Sequence, residues 1–222
     1  MKRSCLIVTS LALGVLFATA PALAETVNVT VDPAKPWIGW MNVFDAPGGV
    51  MGGYLWGSGW GTADLAATFA GPNLRLSPNT NCYNAADPYW VNPDGTGAKY
   101  MDANMYVEDT SLVGKTIAFG GQTLSNTFVP GYSSKAFIKV LDPAQGWSTI
   151  LSVFADLPGG QPFSLSLDVP NTAGLSPQYG FVTDGLVANP ATSYQLGAVV
   201  VTAPEPASLL ALGLLILGCR RR

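Results

Sequence analysis

The chain has 222 residues, 48% hydrophobic and only 11% charged, with a formal net charge of −3. It contains no histidine, which excludes a Ser-His-Asp or Cys-His catalytic apparatus and any His-ligated metal site. Twenty-five Gly and 17 Pro beside six Trp, eight Tyr and nine Phe describe a folded, turn-rich chain with a single core of ordinary size.

At the start, Lys2 and Arg3 precede an apolar run from Cys5 to Phe17, followed by Pro21 and Ala22-Leu23-Ala24. A basic opening, a short apolar stretch and small residues at Ala22 and Ala24 predict a secretory signal peptide over residues 1–24, cleaved before Glu25. Cys5 stands at the start of the apolar stretch and not just after it, so it is not placed for lipid attachment.

Residues 25–203 form the exported domain. They carry six basic and thirteen acidic side chains, a net charge of −7. Such a surface repels nucleic acid phosphates and anionic headgroups, and no Gly-rich phosphate loop is present. No nucleic-acid partner and no cofactor are expected. Exposed Asp and Asn in turns would suit Ca²⁺, but no EF-hand pattern occurs and no ligand set can be named. Cys82 is the only cysteine in this segment, so the domain has no internal disulfide. Its thiol is expected to be a small buried apolar group.

Short β-prone runs follow in chain order: Thr26–Val31, Ile38–Phe44, Tyr54–Trp56, Asn73–Leu76, Asn104–Glu108 and Lys115–Phe119. After them come Thr123–Val129, Ala136–Leu141, Ile150–Ala155, Phe163–Val169, Gln178–Val182 and Leu196–Thr202. In Phe163–Val169 every second residue is apolar, which aims one set of side chains at a buried face. Turns are expected at Asp45–Gly49, Asn92–Gly95, Gly120-Gly121, Leu157–Gly160 and Asn189-Pro190. Only Asp64–Phe69 reads as a helix, of one or two turns. The expected fold is all-β, an antiparallel β-sandwich.

Most acidic residues sit beside Pro or Gly (Asp32, Asp87, Asp94, Asp142, Asp184), where an Asp side chain caps its own turn. Glu108 and Asp109 are adjacent at a strand end and point to opposite faces. No pair of placed carboxylates of the kind a glycosidase needs is visible, and no G-x-S-x-G motif occurs. The domain is therefore expected to be non-catalytic. The run Trp56-Gly-Ser-Gly-Trp60-Gly61 suits a tight loop better than a nucleophile.

The aromatics are the best lead to a ligand. Trp37, Trp40, Tyr54, Trp56, Trp60, Tyr83, Tyr89 and Trp90 crowd the first half of the domain. Aromatic faces stack on the apolar C–H faces of sugar rings while polar neighbours read the hydroxyls. Trp37 and Trp40 flank an apolar strand and are expected in the core. Tyr83, Tyr89 and Trp90, in the polar loop from Pro78 to Gly97, are candidate glycan-binding residues, with Trp56 or Trp60 beside them. Folding down as a lid is the competing role for this loop.

The second half, through Lys99–Val107, Leu112–Phe119 and Ala136–Val140, loosely resembles the jelly-roll carbohydrate-binding modules of secreted bacterial enzymes. The resemblance implies a strand bearing Asn and Tyr, a Gly-Lys-Thr-Ile strand at a sheet edge, and an Ala-Phe-Ile-Lys strand in mid-sheet.

The tail reads Pro204-Glu205-Pro206, then an apolar run to Cys219, then Arg220-Arg221-Arg222. From Ala207 to Cys219 a helix would span only about 20 Å against a bilayer core of about 30 Å. The terminal Arg cluster favours the cytoplasmic face. This ordered set over residues 204–222 resembles the PEP-CTERM sorting signal of Gram-negative bacteria. The resemblance implies transient anchoring in the inner membrane, cutting near the motif by an exosortase-type membrane protease, and a cell-surface or extracellular destination, often with exopolysaccharide. The expected function is a surface-sorted envelope or matrix protein that binds polysaccharide. The alternatives are a secreted glycan-active enzyme, betrayed by paired carboxylates in an aromatic cleft, and a structural coat protein that associates through sheet edges.

Overall fold

The computed structural model describes residues 24–204. Residues 1–23 and 205–222 lie outside the described region, and with them most of the expected signal peptide and, of the sorting signal, Glu205, Pro206 and the three terminal Arg.

Twelve strands are present among the described residues: β1 (Thr26–Thr30), β2 (Ile38–Asp45), β3 (Tyr54–Trp60), β4 (Ala67–Ala70), β5 (Asn73–Leu76), β6 (Lys99–Glu108), β7 (Thr116–Asn126), β8 (Ser133–Asp142), β9 (Ser148–Asp156), β10 (Pro162–Asp168), β11 (Ser176–Leu186) and β12 (Val199–Thr202). They form two six-stranded sheets. The first has the order β1-β7-β12-β5-β4, with β10 on the opposite side of β7. The second has the order β3-β2-β6-β11-β8-β9. Among the described residues, the strands and the buried core they enclose lie between Thr26 and Thr202.

Side-chain alternation builds that core. In β6, Met101, Ala103, Met105 and Val107 point inward and are buried, while Asp102, Asn104, Tyr106 and Glu108 take the outer face. Phe119 of β7 meets Phe163, Tyr179 and Phe181 at ring separations of 5.3–5.4 Å. Trp37 stacks on Phe181 at 6.3 Å, as expected for a core residue.

The all-β architecture agrees with the sequence; several local expectations need correction. β1 runs parallel to β7, from Thr26 opposite Thr116 to Thr30 opposite Gly120, so the sandwich is not wholly antiparallel. Gly120-Gly121 is no turn: β7 runs straight through it. A Cβ at Gly121 would lie 2.6 Å from the Phe163 ring and 2.8 Å from the Thr202 carbonyl oxygen, so glycine here permits a close approach. The Gly-Lys-Thr-Ile stretch leads into β7, which is central to its sheet, whereas the Ala-Phe-Ile-Lys strand β8 is interior as expected. Asp64–Phe69 forms turns that lead into β4, because the β4–β5 ladder captures the residues after Ala66. Trp56–Trp60 is strand β3 and not a loop.

Four of the Asp residues expected in turns do cap them. Asp32, Asp87, Asp94 and Asp142 accept from the backbone N–H two residues on, at 2.9 Å. Asp184 does not. It lies within β11, opposite Asp102 of β6.

Candidate functional site

The five aromatics singled out from the sequence separate into groups. Trp56 faces inward from β3 and donates its indole N–H to the Tyr89 hydroxyl at 3.0 Å. Trp90 packs edge-on against Trp56 (6.1 Å) and Tyr89 (4.9 Å). Trp56, Trp60, Tyr83 and Trp90 are half-buried against the core. Trp60 turns its N–H to Ser58 at 2.9 Å. Tyr83 donates to the Gly95 carbonyl at 3.0 Å and accepts from Asn189 at 3.1 Å, pinning the loop shut. Tyr89 alone is exposed, with the Lys99 ammonium 4.7 Å above its ring. The structure therefore gathers Trp56, Tyr89 and Trp90 into one cluster and leaves Tyr83 and Trp60 outside it.

A groove of about 750 Å³ crosses the outer face of the second sheet. Its lining runs from Trp40, Asn42 and Tyr54 at one end, past Asn104, Tyr106, Glu108, Gln178 and Lys139, to Leu141, Thr149 and Trp147 at the other. Trp40 is 40% exposed, not in the core as expected. The reason is period two: Gly39, Met41 and Val43 take the buried face of β2, so Ile38, Trp40 and Asn42 must face out. The bare Gly57 of β3 makes room for it, since a Cβ there would lie 2.8 Å from the Trp40 indole nitrogen and 2.7 Å from Asn42 Oδ1.

Trp147 is 56% exposed and sits at the opposite end. Its backbone is left-handed, φ 64°, a conformation that costs a bulky L-residue about 1–2 kcal/mol. Such strain in an exposed Trp turns attention to function. The turn is held by Asp142, whose side chain accepts from the Ala144 N–H and whose carbonyl accepts from the Trp147 N–H at 3.0 Å.

The polar floor is wired together. The Trp40 indole donates to Asn42 Oδ1 at 2.8 Å, and Asn42 Nδ2 donates to Asp102 Oδ1 at 2.9 Å. Asn104 also donates to Asp102 and accepts from the Lys139 ammonium at 2.8 Å. Gln178 donates to Glu108 Oε2 at 2.8 Å. Each amide thus has a fixed orientation. The Lys139 ammonium lies 4.1 Å from the centre of the Phe137 ring, and burial holds its pKa below the ordinary lysine value.

Beside this floor, on the same outer face, the Asp184 carboxyl meets that of Asp102. Burial, then the charge of Asp102 and the hydrogen bond between them, push Asp184 up to about 7, against the opposing pull of Lys139 and Lys135. Reading Asp184 as a turn residue concealed this pair. The usable signal was the alternation Asp102, Asn104, Tyr106, Glu108, which marks a polar face on a strand deep in a sheet. The carboxyls around this floor do not stand at glycosidase spacing. Asp102 and Asp184 are in contact, and Glu108 lies six residues along β6 from Asp102, about 20 Å away, whereas catalytic carboxyls stand about 5–10 Å apart.

No protein-family model matches this chain, and no curated protein matches it. Among solved structures, a chain described as "CBM4 structure and function" resembles it with a TM-score of 0.31 and 11% identity, covering 77% of this chain and 86% of that one.

Proposed function

We propose that the domain is a non-catalytic binder of uncharged polysaccharide, and that its site is the groove on the second sheet. The observation that carries this reading is the pair of exposed indoles, Trp40 and Trp147, bracketing a floor of oriented amides. They are separated by four strand spacings, about 19 Å across the strands. Indoles supply stacking surfaces for sugar rings, and amides with one free lone pair or N–H read hydroxyls. The domain's charge of −7 disfavours acidic polymers. We read the two-sheet architecture as jelly-roll-like. The lid cluster of Trp56, Tyr89 and Trp90 serves mainly to close the sandwich, with Tyr89 the one ring free to touch a ligand.

We also propose that the protein is exported and sorted to the cell surface through its PEP-CTERM-like tail, with an exosortase-type protease as its processing partner. The ordered Pro-Glu-Pro, apolar stretch and Arg cluster support this. Intact-mass analysis of protein from the cell surface is expected to show loss of residues 1–24 and of the Arg tail. A surface species that retains Arg222 would overturn the processing step.

Affinity electrophoresis in gels containing neutral β-glucan, neutral xylan or acidic alginate tests the binding reading. Retardation by a neutral polymer is expected, and Trp40→Ala should weaken it about 5- to 150-fold with unchanged melting temperature. The reading fails if no neutral polymer retards the protein, or if Trp40→Ala binds as well as the parent.

A further inference from the structure

The second sheet ends in β3 on one side and, on the other, in β9, Ser-Thr-Ile-Leu-Ser-Val-Phe-Ala-Asp over residues 148–156. Edge strands are ordinarily guarded by lysine, proline or inward-pointing charge. β9 has none of these. Ile150, Leu151 and Phe154 are 37–46% exposed. Its one charge, Asp156, is paired with Lys135 of the neighbouring strand at 3.5 Å. Two partial guards are present: β10 of the first sheet lies against β9, and a register shift between Val140 and Leu141 leaves Ile150 without a partner in β8.

We infer that a second copy of this chain pairs along β9, edge to edge and antiparallel, about a dyad at Ser152. Antiparallel pairing centred there is the one register that matches all nine residues of the strand with themselves. It sets Ile150 against Phe154, Leu151 against Val153, Thr149 against Ala155, and Ser148 against Asp156, with Ser152 facing its own copy. Apolar meets apolar and no like charges meet, although each domain carries a net −7. Cross-strand apolar pairs of this kind stabilise a ladder, whereas like charges oppose it.

The result is a twelve-stranded sheet. A dyad of two antiparallel strands stands perpendicular to the sheet, so both grooves open on the same side. This consequence for ligand binding rests on the groove reading above; the dimer itself does not. Two grooves on one face engage a long polymer twice, and bivalent attachment raises apparent affinity by about 10²- to 10⁴-fold without new contacts.

Sedimentation velocity on residues 25–203, over a range of protein concentrations and without sugar, tests the pairing. A concentration-dependent dimer is expected. Ser152→Asp puts two carboxylates face to face at the dyad and should weaken dimerisation at least about tenfold. Ser152→Lys should do the same, and mixing the two variants should restore a dimer. A wild type that stays monomeric, a species that grows beyond two copies, or an undisturbed Ser152→Asp dimer would overturn the inference. The avidity is read separately. Monomeric Ser152→Asp should keep the parent's affinity for a short neutral oligosaccharide but lose apparent affinity for the long polymer. Dimerisation without any sugar binding would sink the groove reading and leave the edge pairing standing.

Discussion

Asp184 links stability to pH in a direction opposite to that of most carboxylates. Its folded-state pKa is raised from 3.8 to about 7. Between those values the folded protein holds a proton that the unfolded chain has released. Stability therefore falls as pH rises through that window, and above about pH 7 the loss is complete. One proton corresponds to at most about 1.4 kcal/mol per pH unit. From pH 5 to pH 8 the loss is about 2–3 kcal/mol, or roughly 5–10 °C in melting temperature for a domain of this size. The charged groups that act on Asp184 are Asp102 of β6 and Lys135 and Lys139 of β8; burial, and then the charges of Asp184 and Asp102, push the nearby Tyr100 hydroxyl up. Asp184→Asn keeps the shape and can still donate to Asp102, but it cannot titrate. Melting curves at half-unit pH intervals should show the parent losing stability from pH 5 to 8 while Asp184→Asn stays nearly level and overtakes it at pH 8. Parallel curves for the two proteins would refute the reasoning.

Three further outcomes are expected. Trp90→Ala removes a ring that packs on Trp56, Tyr89 and the core, so it should cost about 3 kcal/mol by denaturant unfolding; unchanged stability with lost polymer binding would make Trp90 a platform residue instead. Cys82 is half-buried with its thiol pushed up to about 11. It should react slowly with a disulfide reagent at pH 8 and form no dimer on non-reducing electrophoresis, and rapid labelling of the native protein would contradict this. Gly57→Val should displace the Trp40 indole, changing its fluorescence and weakening polymer binding about tenfold or more; an unchanged emission spectrum would show that Gly57 does not seat the ring.

Period-two patterning was enough to read the all-β class and most strands directly. Phe163–Val169 and Ala136–Leu141 alternate so plainly that their buried faces follow from the pleat alone. Turn-capping by Asp32, Asp87, Asp94 and Asp142 was equally local, because an Asx turn needs only its own neighbours. What required tertiary structure were features set by partners distant in sequence. Gly120-Gly121 looks like a turn until Phe163 and Thr202 are seen crossing it. Asp184-Gly185 looks like a turn until β6 brings Asp102 opposite Asp184. Gly185 in turn is held bare by the Tyr132 ring, which would lie 2.2 Å from an added Cβ. The groove is the plainest case. Trp40, Asn104, Gln178 and Trp147 stand on four strands or their flanking turns, spread over more than 130 residues of chain. No local pattern could collect them, because the strand order β3-β2-β6-β11-β8-β9 is decided by which buried faces fit together, and only that order lays two exposed indoles at the ends of one polar floor.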